Sequence, residues 1–169
     1  MASCISFDPI VGDNAHILIL GSMPGVQSLK QQQYYAHPRN AFWPIMAELF
    51  EASIEWTYQQ RCQHLIDNHI AVWDVLKACN RPGSLDQHID SASIVANDFN
   101  TFLKQHPKIE RLCFNGGKAA QLFKRHVSPV LEPAFKDRAQ FSLPSTSPAH
   151  AAMTFKQKLC LWQKITVFD

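Results

Sequence analysis

Four short stretches concentrate the side chains that can do chemistry. GSMPGVQS, from Gly21 to Ser28, sets two glycines around Pro24. That spacing allows tight turns and close approach of a ligand to the backbone, and successive free N–H groups can cradle a phosphate or carboxylate. No GK[ST] follows, so it is not a Walker loop, and it is not GxGxxG. YYAHPRNAFW, from Tyr34 to Trp43, puts two tyrosines, a His-Pro turn, an Arg and an Asn ahead of an aromatic pair. Phe42 and Trp43 read as core. Tyr34 and Tyr35 lie in a polar stretch, where a stacking platform for a base fits better. Asn40 is either a helix N-cap or a functional amide. FNGGKAA, from Phe114 to Ala120, ends an apolar run in Asn115. That amide can offer its C=O and N–H to a ligand or to its own turn. LPSTSPAHA, from Leu143 to Ala151, stiffens three hydroxyls with two prolines ahead of a helix, which suits phosphate contacts or an ordinary capping turn. His150 closes that loop and can touch phosphate or sit in a first helical turn.

These segments need elements to hold them. Ala15–Gly21, Ile70–Leu76 and Ile109–Asn115 are apolar runs of strand length, and Ala139–Leu143 is a shorter one. Helical periodicity covers Ala41–Phe50, Thr57–His69, Asn97–His106, the stretch from Gly117 to His126, and His150–Ile165. Ser22–Arg39 and Lys77–Ser93 read as loops. Strands alternating with helices imply a parallel sheet with right-handed crossovers. The expected fold is a three-layer α/β/α sandwich around a four-stranded, mostly parallel sheet. Open parallel sheets bind ligands at their carboxyl ends. The loops Gly21–Asn40, Asn115–Lys118 and Leu143–His150 should therefore meet in one cleft.

The 169 residues fit one domain, 1–169, and 46% apolar with 18% charged content is globular rather than disordered. No apolar run reaches the length of a membrane helix, and Met1–Asp8 has no basic or apolar leader character, so a cytoplasmic location is expected. The five cysteines are odd in number and widely spaced, with no CxxC, which argues against a disulfide framework or zinc site and gives an iron–sulfur cluster no support. Buried free thiols are expected, with Cys160 on an apolar helix stripe. Charge is split unevenly. Residues 1–98 hold five Lys/Arg against ten Asp/Glu, a balance of −5, and residues 99–169 hold eleven against four, a balance of +7. Such asymmetry suits a side facing a polyanion, or solvated helix faces.

Taken together, the four segments resemble the uracil-DNA glycosylase superfamily over essentially the whole chain. YAHPRNAFW is close to the mismatch-specific uracil glycosylase branch. GSMPG and LPSTSPAHA look more like the hypoxanthine-DNA glycosylase branch, whose members remove deaminated adenine. The resemblance implies a monofunctional DNA glycosylase of base excision repair. Such an enzyme flips a damaged base into a pocket and hydrolyses its N-glycosidic bond with no metal or other cofactor, here as a monomer on nucleoid DNA. Deoxyinosine is the expected substrate. Uracil or mispaired bases, or a catalytically silent nucleic-acid-binding domain, are the alternatives.

The resemblance also distributes roles. Many branches carry Asp or Asn where Met23 stands, and a thioether orients water poorly. Asn40 then takes the catalytic part, orienting water and stabilising charge, assisted by His150. Tyr35 takes the place of the aromatic that stacks on the flipped base. Asn115 takes that of the amide that reads the base edge, and Ser22 and Met23 complete the base site. Gly21, Pro24, Gly25, His37, Gly116, Lys118, Ser145, Thr146 and Ser147 fall along the DNA. Thr146, Ser147 and Pro148 are candidates to fill the gap left by the base. Leu143 stands where the second motif often has His or Asn. The base edge gives an independent check. Hypoxanthine and uracil both show a carbonyl beside a ring N–H, which complements a carboxamide. Adenine shows an amine beside a bare nitrogen, and a mismatched buried contact costs roughly 1–3 kcal/mol.

Overall fold

A computed structural model describes residues 3–53 and 55–167. Its strands are β1 (Ser3–Ile5), β2 (Ile17–Gly21), β3 (Ile70–Asp74), β4 (Leu76–Asn80), β5 (Val95–Ala96), β6 (Arg111–Asn115) and β7 (Ala139–Leu143). The helices are α1 (Val26–Gln31), α2 (Phe42–Phe50), α3 (Tyr58–Asp67), α4 (Phe99–Gln105), α5 (Gly117–His126) and α6 (Phe155–Trp162). The main sheet runs β3-β2-β6-β7, and every pairing in it is parallel.

Side chains alternate across a strand, and this divides the core in two. On one face, Leu18, Leu20, Ala71, Trp73, Leu112 and Phe114 pack with Phe99, Phe102 and Leu103 of α4 and Leu122 and Phe123 of α5. On the other, Ile17, Ile19, Ile70, Val72, Cys113 and Leu143 pack with Phe42, Trp43, Ile45 and Met46 of α2, Leu65 of α3 and Trp162 of α6. Helices thus cover both faces, which is why β2 and β3 are apolar and buried almost throughout.

A second, antiparallel sheet, β1-β4-β5, departs from the sequence reading. Ile70–Leu76 is not one strand. The main-sheet strand stops at Asp74, and after Val75 the chain enters β4. The chain bends at Val75, and the Val75 and Leu76 N–H groups bond to the Gly21 and Ser22 carbonyls, so the junction stays tied to the end of β2. The expected loop from Lys77 therefore opens with a strand, and the loop after Gly21 contains α1. The last helix starts at Phe155 rather than His150, because Thr154 and Gln157 form a capping box there. Cys4, Cys79 and Cys113 are buried thiols, whereas Cys160 is exposed on α6.

Candidate active site

Register places four residues in one row across the carboxyl end of the main sheet. Gly21 pairs with Asp74, Leu20 with Phe114, and Asn115 with Leu143. By alternation the row Asp74–Gly21–Asn115–Leu143 faces the α2 side. Gly21 leaves a slot between the Asp74 carboxylate and the Asn115 amide. A Cβ at Gly21 would lie 2.5 Å from Asp74 Oδ1 and 3.2 Å from the Tyr35 hydroxyl oxygen. Both oxygens therefore converge on the open face of this glycine.

Above the row lies a cavity of about 440 Å³. Its lining includes Gly21, Ser22, Met23, Pro24, Gly25, Tyr35, His37, Asn40, Asn115, Ser145, Thr146 and Ser147. The three loops expected to meet do meet. Gly116, Lys118 and His150 are not among the lining residues. Gly116 has φ +96, and a Cβ on it would come within 3.0 Å of Ser145, so it fixes how closely two loops approach. His150 is half-buried, outside any helix, and its N–H donates to the Ser147 carbonyl.

Thr146 knots the loops together. It is buried, its N–H donates to Asn115 Oδ1 at 2.9 Å, and Asn115 Nδ2 donates to its hydroxyl at 2.9 Å. The Thr146 carbonyl accepts from the Ala41 N–H. One bond at each end of the Asn115 amide is thus committed, and one N–H and one lone pair remain. Behind this loop, Lys158 is buried and donates to the Ser147 carbonyl, while Trp162 Nε1 donates to the Pro144 carbonyl.

The aromatic pair splits by role. Tyr34 is core, contrary to expectation. It is 3% exposed, its hydroxyl donates to the Asp8 carbonyl, and its own carbonyl accepts from Trp43 Nε1. Tyr35 sits in the left-handed region at φ +56, a conformation that costs a bulky residue roughly 1–2 kcal/mol. Its ring stacks on Phe42 at 4.1 Å, and its hydroxyl is sealed from solvent beside the Asn115 amide. Burial pushes its ionisation well above the usual phenol range. Strain of this kind collects at functional sites. Asn40 sits one residue before the cap position of α2, and its Oδ1 accepts from the Phe42 N–H at 2.9 Å. This fixes the rotamer and leaves a lone pair of the same oxygen for a water. The Met23 side chain is buried in the core cluster of the α4/α5 face, while its carbonyl accepts from Arg81.

Asp74, Asp86 and Arg81 were missed by sequence reasoning. Asp74 is 3% exposed and lines the cavity, and its Oδ2 is buried with no hydrogen-bond partner. Burial first, then the nearby Asp86 charge, push its carboxyl up to about 7, with Arg81 opposing. Asp86 accepts from the Ser22 hydroxyl at 2.8 Å. Its carboxyl is also raised by burial, against the Ser22 hydrogen bond and the Arg81 and Lys118 charges. Arg81 is 1% exposed and clamps the GSMPG loop. Its Nε donates to the Gly83 carbonyl, Nη1 to Met23 and Nη2 to Pro24, and Nη1 lies 3.8 Å from Asp86. Asp74 ends its strand as Asn115 does, but the apolar run continues past it through Val75 and Leu76 and hides that end. Arg81 and Asp86 lie in a polar stretch that offers no such signal.

The fold and this site define a class in which a parallel sheet presents polar tips to a cavity at the carboxyl ends of its strands. A model of the uracil DNA glycosylase superfamily matches residues 9–166, and the chain belongs to that superfamily. Among its relatives, a hypoxanthine DNA glycosylase of Methanosarcina acetivorans is 38% identical over 116 residues, 68% of this chain and 72% of that protein. The hypoxanthine DNA glycosylase of Methanosarcina barkeri is 37% identical over the same shares. The solution NMR structure of a Methanosarcina acetivorans protein, described as a candidate uracil DNA glycosylase, superposes with a TM-score of 0.77. That pair shares 29% identity and covers 98% of this chain and 99% of the other.

Proposed function

We propose that this protein is a DNA glycosylase that hydrolyses the N-glycosidic bond of deaminated bases, with hypoxanthine as the principal target. The observation that carries this reading is the strand-end row. Asn115 has one N–H and one lone pair left beside the slot at Gly21, and that pair complements the carbonyl and ring N–H of a deaminated base. The two curated relatives named above act, by their names, on hypoxanthine. Duplex DNA hides this edge, so the nucleotide is flipped out of the stack into the cavity.

Once bound, the base lies near the Tyr35 ring, which is backed by Phe42. Asn40 holds a water through the free lone pair of Oδ1. As the N-glycosidic bond breaks, its electron pair moves onto the base and the sugar gains cationic character. The water oxygen bonds to C1′, and its proton completes the released base. An amide does not deprotonate water, so Asn40 works by position and charge stabilisation. Ser145, Ser147 and Lys118 contact backbone phosphates, with His150 at the end of the same loop, whereas the expected DNA contact of Thr146 gives way to its buried tie to Asn115. The protein works as a monomer on chromosomal DNA, with no metal or other cofactor.

The test is single-turnover cleavage of duplex oligonucleotides carrying one inosine or one uracil, read as alkali-labile strand breaks. Breaks at inosine support the reading. Breaks at uracil alone reassign the substrate, and breaks at neither leave a nucleic-acid-binding domain in its place.

A further inference from the structure

Asp74 plays no part in the mechanism above, yet it is one of the most buried polar groups in the cavity wall. Its Oδ2 has no partner and its Oδ1 leans over the Gly21 α-carbon beside the Tyr35 hydroxyl. We propose that Asp74 holds a proton in the resting enzyme and donates it in a hydrogen bond to an acceptor atom of the departing base, so that ionisation of this carboxyl switches excision off. This inference rests on the glycosylase reading.

The geometry favours the neutral form. Arg81 is the cation that faces Asp74, and its Nε, Nη1 and Nη2 already donate to carbonyls. What remains of its charge is directed at Asp86, 3.8 Å from Nη1. The other titratable groups that face Asp74 are Asp86, from the turn after β4, and Tyr34 and Tyr35, from the loop before α2. The tyrosines are neutral, and Asp86 is a like charge that disfavours a second one. Lys118 of α5 acts on Asp86. An ionised Asp74 would be a buried carboxylate with an orphan oxygen, which is costly. It would also oppose the charge that builds on the base as its bond to C1′ breaks. A neutral carboxyl reverses that effect, because its O–H points a donor at the developing negative charge. The proton is shared and not lost. The base leaves with the proton of the attacking water, and Asp74 ends the cycle as it began.

The experiment follows single-turnover excision of hypoxanthine from pH 6 to pH 8.5 in the wild type and in Asp74→Asn, an isosteric variant that keeps a donor and does not ionise. With a carboxyl titrating near 7, the wild-type rate should fall about 30-fold across that range. The variant should stay within about threefold. A wild-type rate that is flat or rises with pH overturns the proposal, as does an Asp74→Asn protein that melts normally but excises nothing. If the wild type excises neither hypoxanthine nor uracil at any pH, the glycosylase reading has failed. The Asp74 carboxyl carbon is then titrated by NMR with and without free hypoxanthine. A midpoint raised by the base supports the contact, since binding favours the protonated form, and an unmoved midpoint overturns it.

Discussion

Replacing Asp74 by Asn should change how stability depends on pH, by an amount the surroundings of the carboxyl set. In the unfolded chain this carboxyl releases its proton near 3.8, and in the folded protein near 7. Between those values the folded state holds a proton that the unfolded state has lost. Folding then takes up a proton, so this group's contribution falls as pH rises from about 4 to about 7, and levels off above. The gap of about three pKa units corresponds to about 4 kcal/mol at about 1.36 kcal/mol per unit. Asn does not ionise and carries none of this slope. It introduces a pH-independent cost, roughly 1–3 kcal/mol, because its Nδ2 occupies a site with no acceptor. The variant should therefore be less stable than the wild type near pH 4 and more stable by pH 7.5, the two curves crossing between. Urea unfolding at one-unit pH intervals measures this directly. Curves that stay parallel to within about 1 kcal/mol from pH 4.5 to 7.5 would refute the reasoning, because Asp74 would then be ionising as freely as an exposed carboxylate.

Asn40→Ala should lower single-turnover excision about 100-fold or more with little change in DNA affinity, the scale of losing one preorganised group. Asn40→Ser keeps an acceptor for the Phe42 N–H, so a normally folded, fully active Asn40→Ser would reduce Asn40 to a capping residue. Arg81→Met should cost about 3–5 kcal/mol in urea unfolding, because it strips Asp86 of its buried counter-charge and three carbonyls of their donor. A loss below 1 kcal/mol would mean that the GSMPG loop holds itself. Affinity for undamaged duplex should fall steeply between low and moderate salt if backbone phosphates supply the binding. A flat dependence, measured by fluorescence anisotropy, would count against the phosphate contacts.

The sequence was most legible where burial is two-sided. Ile17–Leu20 and Leu112–Phe114 are apolar at every position because helices cover both faces, and that signal needs no knowledge of partners. It was least legible where local preference and tertiary context part. Lys77 and Asn80 in β4 look like loop residues, because they are polar and the burial of that short strand does not alternate. The six residues of α1 follow Gly25 with no side-chain cap and no acid in the first turn, so nothing local announces a helix. The start of α6 was readable, since Thr154 and Gln157 stand at capping-box spacing, but the prolines upstream drew attention to His150 instead. At the site, the residues that carry backbone meaning were found: the glycines, the Pro24 turn and Asn115 at its strand end. Asp74 escaped because the apolar run continues past it through Val75 and Leu76, which hid the end of a strand inside what looked like the middle of one. Arg81 and Asp86 escaped because a buried guanidinium inside a charged loop has no local signature at all.

The strand-end row has a consequence for how such a protein can change. Each of its four members is the last residue of a strand. Main-chain atoms alone hold the ladder, so the sheet behaves as a rack whose tips can be exchanged without altering the rungs. A different carbonyl, amide or acid at position 74 or 115 would offer a different edge to whatever lies above, while the spacing between tips stays set by the distance between neighbouring strands. What such an exchange costs is decided by how the new tip is solvated and partnered, locally, and not by the fold. One position is outside this freedom. With Asp74 Oδ1 only 2.5 Å from where its Cβ would sit, Gly21 is the gap that lets the neighbouring tips be felt. New chemistry can therefore be written on either side of it, but not at it.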